Sequence, residues 1–302
     1  MARISTAASL RAKLDTSQSF ARAAIALRIA SGRLASWAMP ELPEVEIASV
    51  RLRNAAEGRR IVATRIRHPA LRRQLARRGQ AAVRGARIDR VERRGKYQLL
   101  HLDNGYTIIA HFRMTGDWHI APADRLPPMY ARAELVLDDG TRVVLDDPRA
   151  LSSLQVAPTD ALPLPPLGPD PLTRAFSPRA LGAVLARRRG PIKPALLDQA
   201  VAAGVGNIYA SEALWRARVH PAASAAGLDM DQLRAITRSI RAVLRGALAN
   251  AGRYSDASGD AGRFDVYDRE GGPCRRCGTP IARITQAGRS TYFCPGCQRD
   301  EG

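Results

Sequence analysis

Between Arg60 and Leu154, short β-branched runs alternate with charged residues, a period-two pattern that predicts strands. Asp103-Asn104-Gly105 and Asp138-Asp139-Gly140 punctuate those runs as strong hairpin signals, so an antiparallel β domain is expected. Ahead of it the period lengthens: Val45, Ile47, Val50 and Leu52 predict a helix over Glu44 to Glu57. After Leu154 comes a proline-rich stretch, 158–171 (PTDALPLPPLGPDP), which sustains neither a helix nor a central strand and reads as a linker. Helical periodicity then predicts Ala180 to Arg188, Lys193 to Ala203, Ile208 to Arg218 and Met230 to Ala249, closed by polar, Gly-rich 251–263. No internal repeat is present.

With 302 residues, 45% hydrophobic and 25% charged, the chain can bury one or two ordinary cores. No run approaches the ~20 consecutive apolar residues of a membrane span, so no membrane partner is expected. The formal charge of +19 favours a polyanion, with nucleic acid ahead of an anionic membrane surface. Nearly all cations are arginine, and lysine occurs only at Lys13, Lys96 and Lys193. A composition bias accounts for the arginines, but Lys96 and Lys193 are thereby candidates for proton-moving work that arginine cannot do. Residues 1–38 form a separate basic block (Arg3, Arg11, Lys13, Arg22, Arg28 and Arg33 against Asp15). It reads as upstream sequence ahead of a start at Met39, with an organellar transit segment as the alternative.

The four cysteines sit as Cys274-x2-Cys277 and Cys294-x2-Cys297, sixteen residues apart. That spacing suits two thiolate knuckles around one structural zinc ion, the alternative being two disulfides. Between the pairs, Arg283, Arg289, Thr291, Tyr292 and Phe293 alternate like a hairpin that follows a phosphate backbone. Gly204-Val205-Gly206-Asn207 ends one helix and opens another; Asn207 as a cap with free N–H groups makes a phosphate site, or else the segment is a bare helix junction. Met39-Pro40-Glu41-Leu42-Pro43-Glu44 also has two readings. It is a well-made helix start, or, once Met39 is removed, Pro40 is a secondary amine able to form an iminium with a sugar aldehyde carbon beside Glu41. The five histidines show no ligand spacing beside a carboxylate, and Trp37, Trp118 and Trp215 read as packing residues.

Taken together, Pro40 to Glu44, Arg94-Gly95-Lys96-Tyr97, His111 to Gly116, Asp147-Pro148-Arg149, Ile192-Lys193-Pro194, Gly204 to Glu212 and the four cysteines resemble the formamidopyrimidine-DNA glycosylase family. The resemblance runs from Met39 to about Gln298. It implies an α+β protein, with a β-sandwich with flanking helices (39–157), the linker, a helix-two-turn-helix domain (172–265) and a zinc-finger hairpin (266–302). The implied activity is removal of oxidised bases of the formamidopyrimidine and 8-oxoguanine type, then abasic-site cleavage through a Schiff base. The implied partner is damaged double-stranded DNA, bound by a monomer in a bacterial cytoplasm at the nucleoid, or in an organelle if residues 1–38 are a transit segment.

The resemblance also implies roles. Pro40 attacks C1′; Glu41 assists sugar opening and base departure; Lys96 moves the proton of β-elimination; Arg289 assists δ-elimination. Met114, Arg149 and Leu151 fill the space left by the extruded nucleotide, while Lys193, Asn207 and Tyr209 contact the DNA. The sequence departs from the family pattern in four places. Leu151 stands where phenylalanine is usual, Arg113 replaces a small residue, a histidine is absent around Tyr130 to Arg132, and the 251–265 loop is short. Those departures leave open an endonuclease VIII-like preference for oxidised pyrimidines or a plain abasic-site lyase. Retention of residues 1–38 would leave a non-catalytic binder of damaged DNA.

Overall fold

Two hairpins organise the first half of the molecule. Gly105 and Gly140 take φ of +80° and +79°, the left-handed geometry that turns β3 (Tyr97–Leu102) into β4 (Tyr106–His111) and β6 (Ala131–Leu137) into β7 (Thr141–Asp146). The structure, a computed structural model, describes residues 39–75, 77–122, 124–250 and 264–299. The expectations for residues 1–38 and for 251–263 lie outside the described residues.

Two four-stranded antiparallel sheets form. One has the order β1-β6-β7-β5, with β1 spanning Ile61–Ile66 and β5 Asp117–Pro122; the other has the order β2-β3-β4-β8, with β2 spanning Ile88–Arg94 and β8 Ser153–Pro158. Alternate residues of both sheets, among them Ile61, Leu135, Val143, Leu100 and Ile108, meet in one buried core. Helix α1 (Leu42–Ala56) adds Val45, Ala48, Leu52 and Ala56 to that core. The segment read as strand-like around residue 75 instead holds two short helices, α2 (Pro69–Gln74) and α3 (Arg77–Val83). Pro69 fits the first turn, and His68 Nδ1 accepts from the Ala70 amide at its start.

The second half is helical, with α4 (Pro178–Leu185), α5 (Ile192–Leu197), α6 (Asn207–Ala217) and α7 (Met230–Ala249). The helix expected over Lys193 to Ala203 stops at Leu197 because side chains take over the backbone groups. Asp198 accepts from the Ala200 amide (2.9 Å) and Gln199 from the Gly204 amide (2.8 Å). A short hairpin of β9 (Ala282–Gln286) and β10 (Arg289–Phe293) packs last. Glu212 ties its approach to α6, its carboxylate accepting from the amides of Asp265, Val266 and Tyr267, each at 2.9 Å. The proline-rich stretch lies on the sandwich, with Leu162 and Leu164 against Leu99 and Ile109.

The halves are joined at the start of α1. Leu42 is fully buried in the helical core rather than in the sandwich core that holds the rest of its helix. Its amide donates to Gly204 O at 3.0 Å. Arg93, at the end of β2, adds a polar tie, reaching Glu46 of α1 (2.5 Å) and Asp170 of the linker (2.6 Å). Burial works against the charge of Glu46, yet Arg93 and Arg53 hold its carboxyl below the ordinary range.

Gly204 has φ +90°, and a Cβ there would fall 2.8 Å from Leu42 Cβ. Gly204→Ala is expected to destabilise the protein by about 2 kcal/mol or more, from backbone strain and overpacking together. Urea denaturation checks this, and an unchanged midpoint would contradict the tight junction.

Candidate active site

At the join between the halves sits Glu41, the residue that precedes α1, only 3% exposed. Its carboxylate accepts from the amides of Ile208 (2.9 Å) and Tyr209 (3.3 Å) in the first turn of α6. Those amides have no partner within their own helix, and the helix dipole favours a negative charge there. Gly206 makes the approach possible, since a Cβ on it would lie 2.3 Å from Glu41 Cδ. The expected phosphate site at this helix start is therefore filled from within the chain. Asn207 is the first helical residue rather than the cap, which is Gly206.

Glu44 stands one turn into α1 beside Glu41. Its Oε2 accepts from the Glu41 amide (3.0 Å), and the Tyr209 hydroxyl donates to Oε1 (2.6 Å). Burial, reinforced by the neighbouring Glu41, pushes the Glu44 carboxyl up to about 7. Burial likewise raises the Glu41 carboxyl, opposed by the Lys96 charge and the α6 amides. Lys96, in the β2–β3 turn, is buried and lowered from its ordinary value, with Glu41 pulling the other way and Arg289 reinforcing the shift. A carboxyl raised and an amine lowered in one site are each moved toward a proton-transferring range. His111 lies close by. Burial, helped by Arg113 and Lys96, lowers it to about 4, and its Nδ1 accepts from the Arg113 amide at 3.0 Å.

Pro40 precedes Glu41 directly and is partly exposed. Lys193, expected at the DNA, is 1% exposed. Its Nζ donates to Asn207 Oδ1 (2.6 Å), Thr291 Oγ1 (2.7 Å) and Ser290 O (3.1 Å). Asn207 Nδ2 also donates to Ser290 O (3.0 Å), so both side chains pin β10 against α6. Tyr209, expected at the DNA, is 1% exposed with its hydroxyl on Glu44. Its neighbours along α6, Ile208 to Trp215, are buried with it. Arg289 opens β10 and is exposed, near enough to act on the charges of Lys96 and Lys193. Met114 is half-buried in the turn after β4, while Arg149 and Leu151 are exposed, Leu151 by 46%.

Sequence reasoning gave Glu44 no role, and a carboxylate three residues beyond a candidate acid in a helix first turn was the available signal. It also missed Glu212, because nothing local marks a carboxylate whose partners lie more than fifty residues away.

The four cysteine Sγ atoms lie within 4.8 Å of one another and none is in a disulfide. Cys274–Cys297, Cys277–Cys294 and Cys277–Cys297 separations are 3.9, 3.4 and 3.4 Å, near the roughly 3.8 Å edge of a tetrahedron built on Zn–S bonds of about 2.3 Å. The Trp215 indole N–H and the Arg276 amide each donate to Cys274 Sγ at 3.4 Å, as outer partners of a thiolate ligand do. The donor set suits one structural zinc ion with no ligand position left for catalysis.

Three family profiles match the chain in order. They are the formamidopyrimidine-DNA glycosylase N-terminal domain at residues 39–154, its H2TH domain at 167–258, and the zinc finger found in FPG and IleRS at 271–299. A formamidopyrimidine-DNA glycosylase of Roseiflexus sp. (strain RS-1) is 41% identical over 275 residues, covering 86% of this chain and 100% of the relative. The Lactococcus lactis enzyme bound non-covalently to DNA containing an abasic site superposes with a TM-score of 0.78 at 29% identity, covering 86% of this chain and all of that one. A MutM in complex with DNA containing carbocyclic 8-oxo-G gives 0.79 at 30% identity, with the same coverage.

Two outcomes follow from this geometry. Glu44 sits near 7 when folded against an ordinary 4.5, so its contribution to stability is complete below about 4.5 and is lost as pH rises through 7. Glu44→Gln should therefore gain on the parent protein by up to about 3 kcal/mol between pH 4.5 and 8 in urea titrations, and a flat difference would contradict the shift. Chelation should remove one zinc per chain and unfold the β9–β10 hairpin, with zinc restoring it. Metal analysis and circular dichroism check this, and a hairpin indifferent to chelator would exclude a structural ion.

Proposed function

This chain belongs to the formamidopyrimidine-DNA glycosylase family, and we propose that it excises an oxidised base from DNA and then cuts the strand through a Schiff base on the Pro40 nitrogen. The observation that carries the reading is the Glu41 carboxyl, buried beside Pro40 on the first turn of α6 and coupled to Lys96. The family's relatives bound to abasic-site and 8-oxo-G DNA support damaged duplex DNA as the partner.

In the proposed reaction the Pro40 nitrogen bonds to C1′ as the C1′–base bond breaks, its electron pair leaving with the base, which takes up a proton. Glu41, its carboxyl raised by burial, takes the proton that the Pro40 nitrogen sheds and delivers it to O4′ as the sugar ring opens, leaving an iminium. Lys96, lowered toward its neutral amine, takes the C2′ proton, and the 3′ phosphate departs in β-elimination. Arg289 stabilises the second phosphate as it leaves in δ-elimination. Met114, Arg149 and Leu151 fill the vacated stack, which costs a few kcal/mol to open. Lys193 and Asn207 act from inside by holding β10, and thus Arg289, against α6. One zinc ion on Cys274, Cys277, Cys294 and Cys297 stabilises the hairpin that presents Arg289.

The chemistry demands a free amine. An amide between Met39 and Pro40 ties the nitrogen lone pair into resonance, so the working form begins at Pro40. The N-terminal family profile starting at residue 39 supports that register. The chain acts as a monomer in a bacterial cytoplasm in this reading; among the described residues no helix is long and apolar enough to cross a membrane. The short 251–265 loop and Arg113 favour a second reading in lesion choice alone, with oxidised pyrimidines or plain abasic sites preferred over oxidised purines.

Borohydride trapping on duplexes carrying 8-oxoguanine, formamidopyrimidine, thymine glycol or an abasic site tests both readings. Protein beginning at Pro40 is expected to trap, and Glu41→Gln to lose base excision by about 100-fold or more. Equal trapping by protein that retains residues 1–38 would overturn the proposed nucleophile. The lesion cut fastest decides the substrate class.

A further inference from the structure

Asp147, 0% exposed, lies where the two loops expected to enter the DNA stack meet. On its own loop its carboxylate accepts from the amides of Arg149 (3.1 Å), Leu151 (2.8 Å) and Ser152 (2.7 Å). From the other loop it accepts the hydroxyl of Thr115, the residue after Met114. Ser152 Oγ stands 2.7 Å from Asp147 Oδ2 and 3.1 Å from Phe112 O, a second tie between the loops. They fit closely, because a Cβ on Gly116 would fall 2.2 Å from Ser152 Oγ. Arg132 holds the far side, donating from Nε to Asp147 O (2.7 Å) and from Nη2 to Pro148 O (3.0 Å). Burial opposes a charge on Asp147, yet the bonds from Thr115, Ser152 and Arg149 keep its carboxyl below the ordinary range.

Each loop also contains a non-glycine residue in the left-handed region, Arg113 at φ +57° and Ala150 at φ +53°. Such a backbone persists only where its surroundings hold it. Here both strained positions stand two residues from a partner of the same carboxylate or closer.

We infer that Asp147, acting through Thr115, joins the two loops into one rigid wedge, so that Met114, Arg149 and Leu151 enter the duplex together. This rests on the reading above that those three residues fill the vacated stack. Asp147 and Thr115 are then positioning residues for base extrusion and do not touch the reacting atoms. Two independent loops would have to be ordered at the moment of insertion, whereas loops already tied together have lost that freedom on folding.

Thr115→Val removes the cross-loop hydroxyl at nearly constant shape, and Thr115→Ser restores it. In protein beginning at Pro40, Thr115→Val is expected to lower kcat/KM on the favoured duplex lesion roughly ten-fold, the scale of one hydrogen bond to a charged group. It should also reduce the fluorescence change of a 2-aminopurine placed opposite the lesion. Thr115→Ser should stay within about two-fold of the parent. Trapping on a single-stranded abasic oligonucleotide, which has no stack to open, should be unchanged. Duplex activity of Thr115→Val equal to the parent would overturn the coupling, as would an equal loss on the single strand. If the unsubstituted protein traps neither substrate, the functional reading itself fails, an outcome separate from any difference among the Thr115 variants.

Discussion

A buried carboxylate needs donors, and Glu41 finds its donors 167 residues away in the first turn of α6. That single interaction fixes how the sandwich and the helical half meet. An ionised carboxylate out of water carries a penalty of several kcal/mol unless it is compensated. The α6 amides, the helix dipole and the Lys96 charge compensate it. Every one of those partners belongs to an element other than α1, and the α6 amides reach Glu41 only when both halves are folded and docked. Leu42 repeats the logic in apolar form by packing in the opposite half's core.

The same constraint shapes the chemistry. Anchoring Glu41 on α6 sets Pro40 at the edge of the junction, where it is partly exposed while its neighbour is dry. Compensation is incomplete, since burial still leaves Glu41 raised and Lys96 lowered. A site that satisfied its charges fully would hold two inert ions. This one holds a carboxyl raised and an amine lowered from their ordinary values, and Glu44, near 7, extends the set. The zinc hairpin enters through the same joint. Lys193 and Asn207 fasten β10 to the start of α6, whose next two amides donate to Glu41, so Arg289 is held in register with the acid.

The parts that were legible in the sequence are those with local signals. Asp103-Asn104-Gly105 and Asp138-Asp139-Gly140 marked two hairpins that exist, and the helical periods of α1, α6 and α7 fell within a few residues of their observed bounds. Cysteine spacing announced the metal cluster. What stayed hidden depends on distant partners. Nothing near Gly206 says that its missing side chain admits Glu41, and nothing near Lys193 says that Ser290 and Thr291 will bury its ammonium. The depth of Tyr209 and Lys193 was hidden as well, because a motif lists residues without it. The helices α2 and α3 were overlooked because their arginines masked a sparse apolar stripe of Leu71, Leu75 and Val83.

The account's central claim is that the bond to DNA forms at the nitrogen that Glu41 attends. Peptide mapping of the borohydride-reduced protein–DNA complex, by digestion and mass spectrometry, tests it directly. The sugar remnant is predicted on the nitrogen of a peptide whose first residue is Pro40. A remnant on Lys96, or on any peptide in which Pro40 is still joined to Met39, would contradict it.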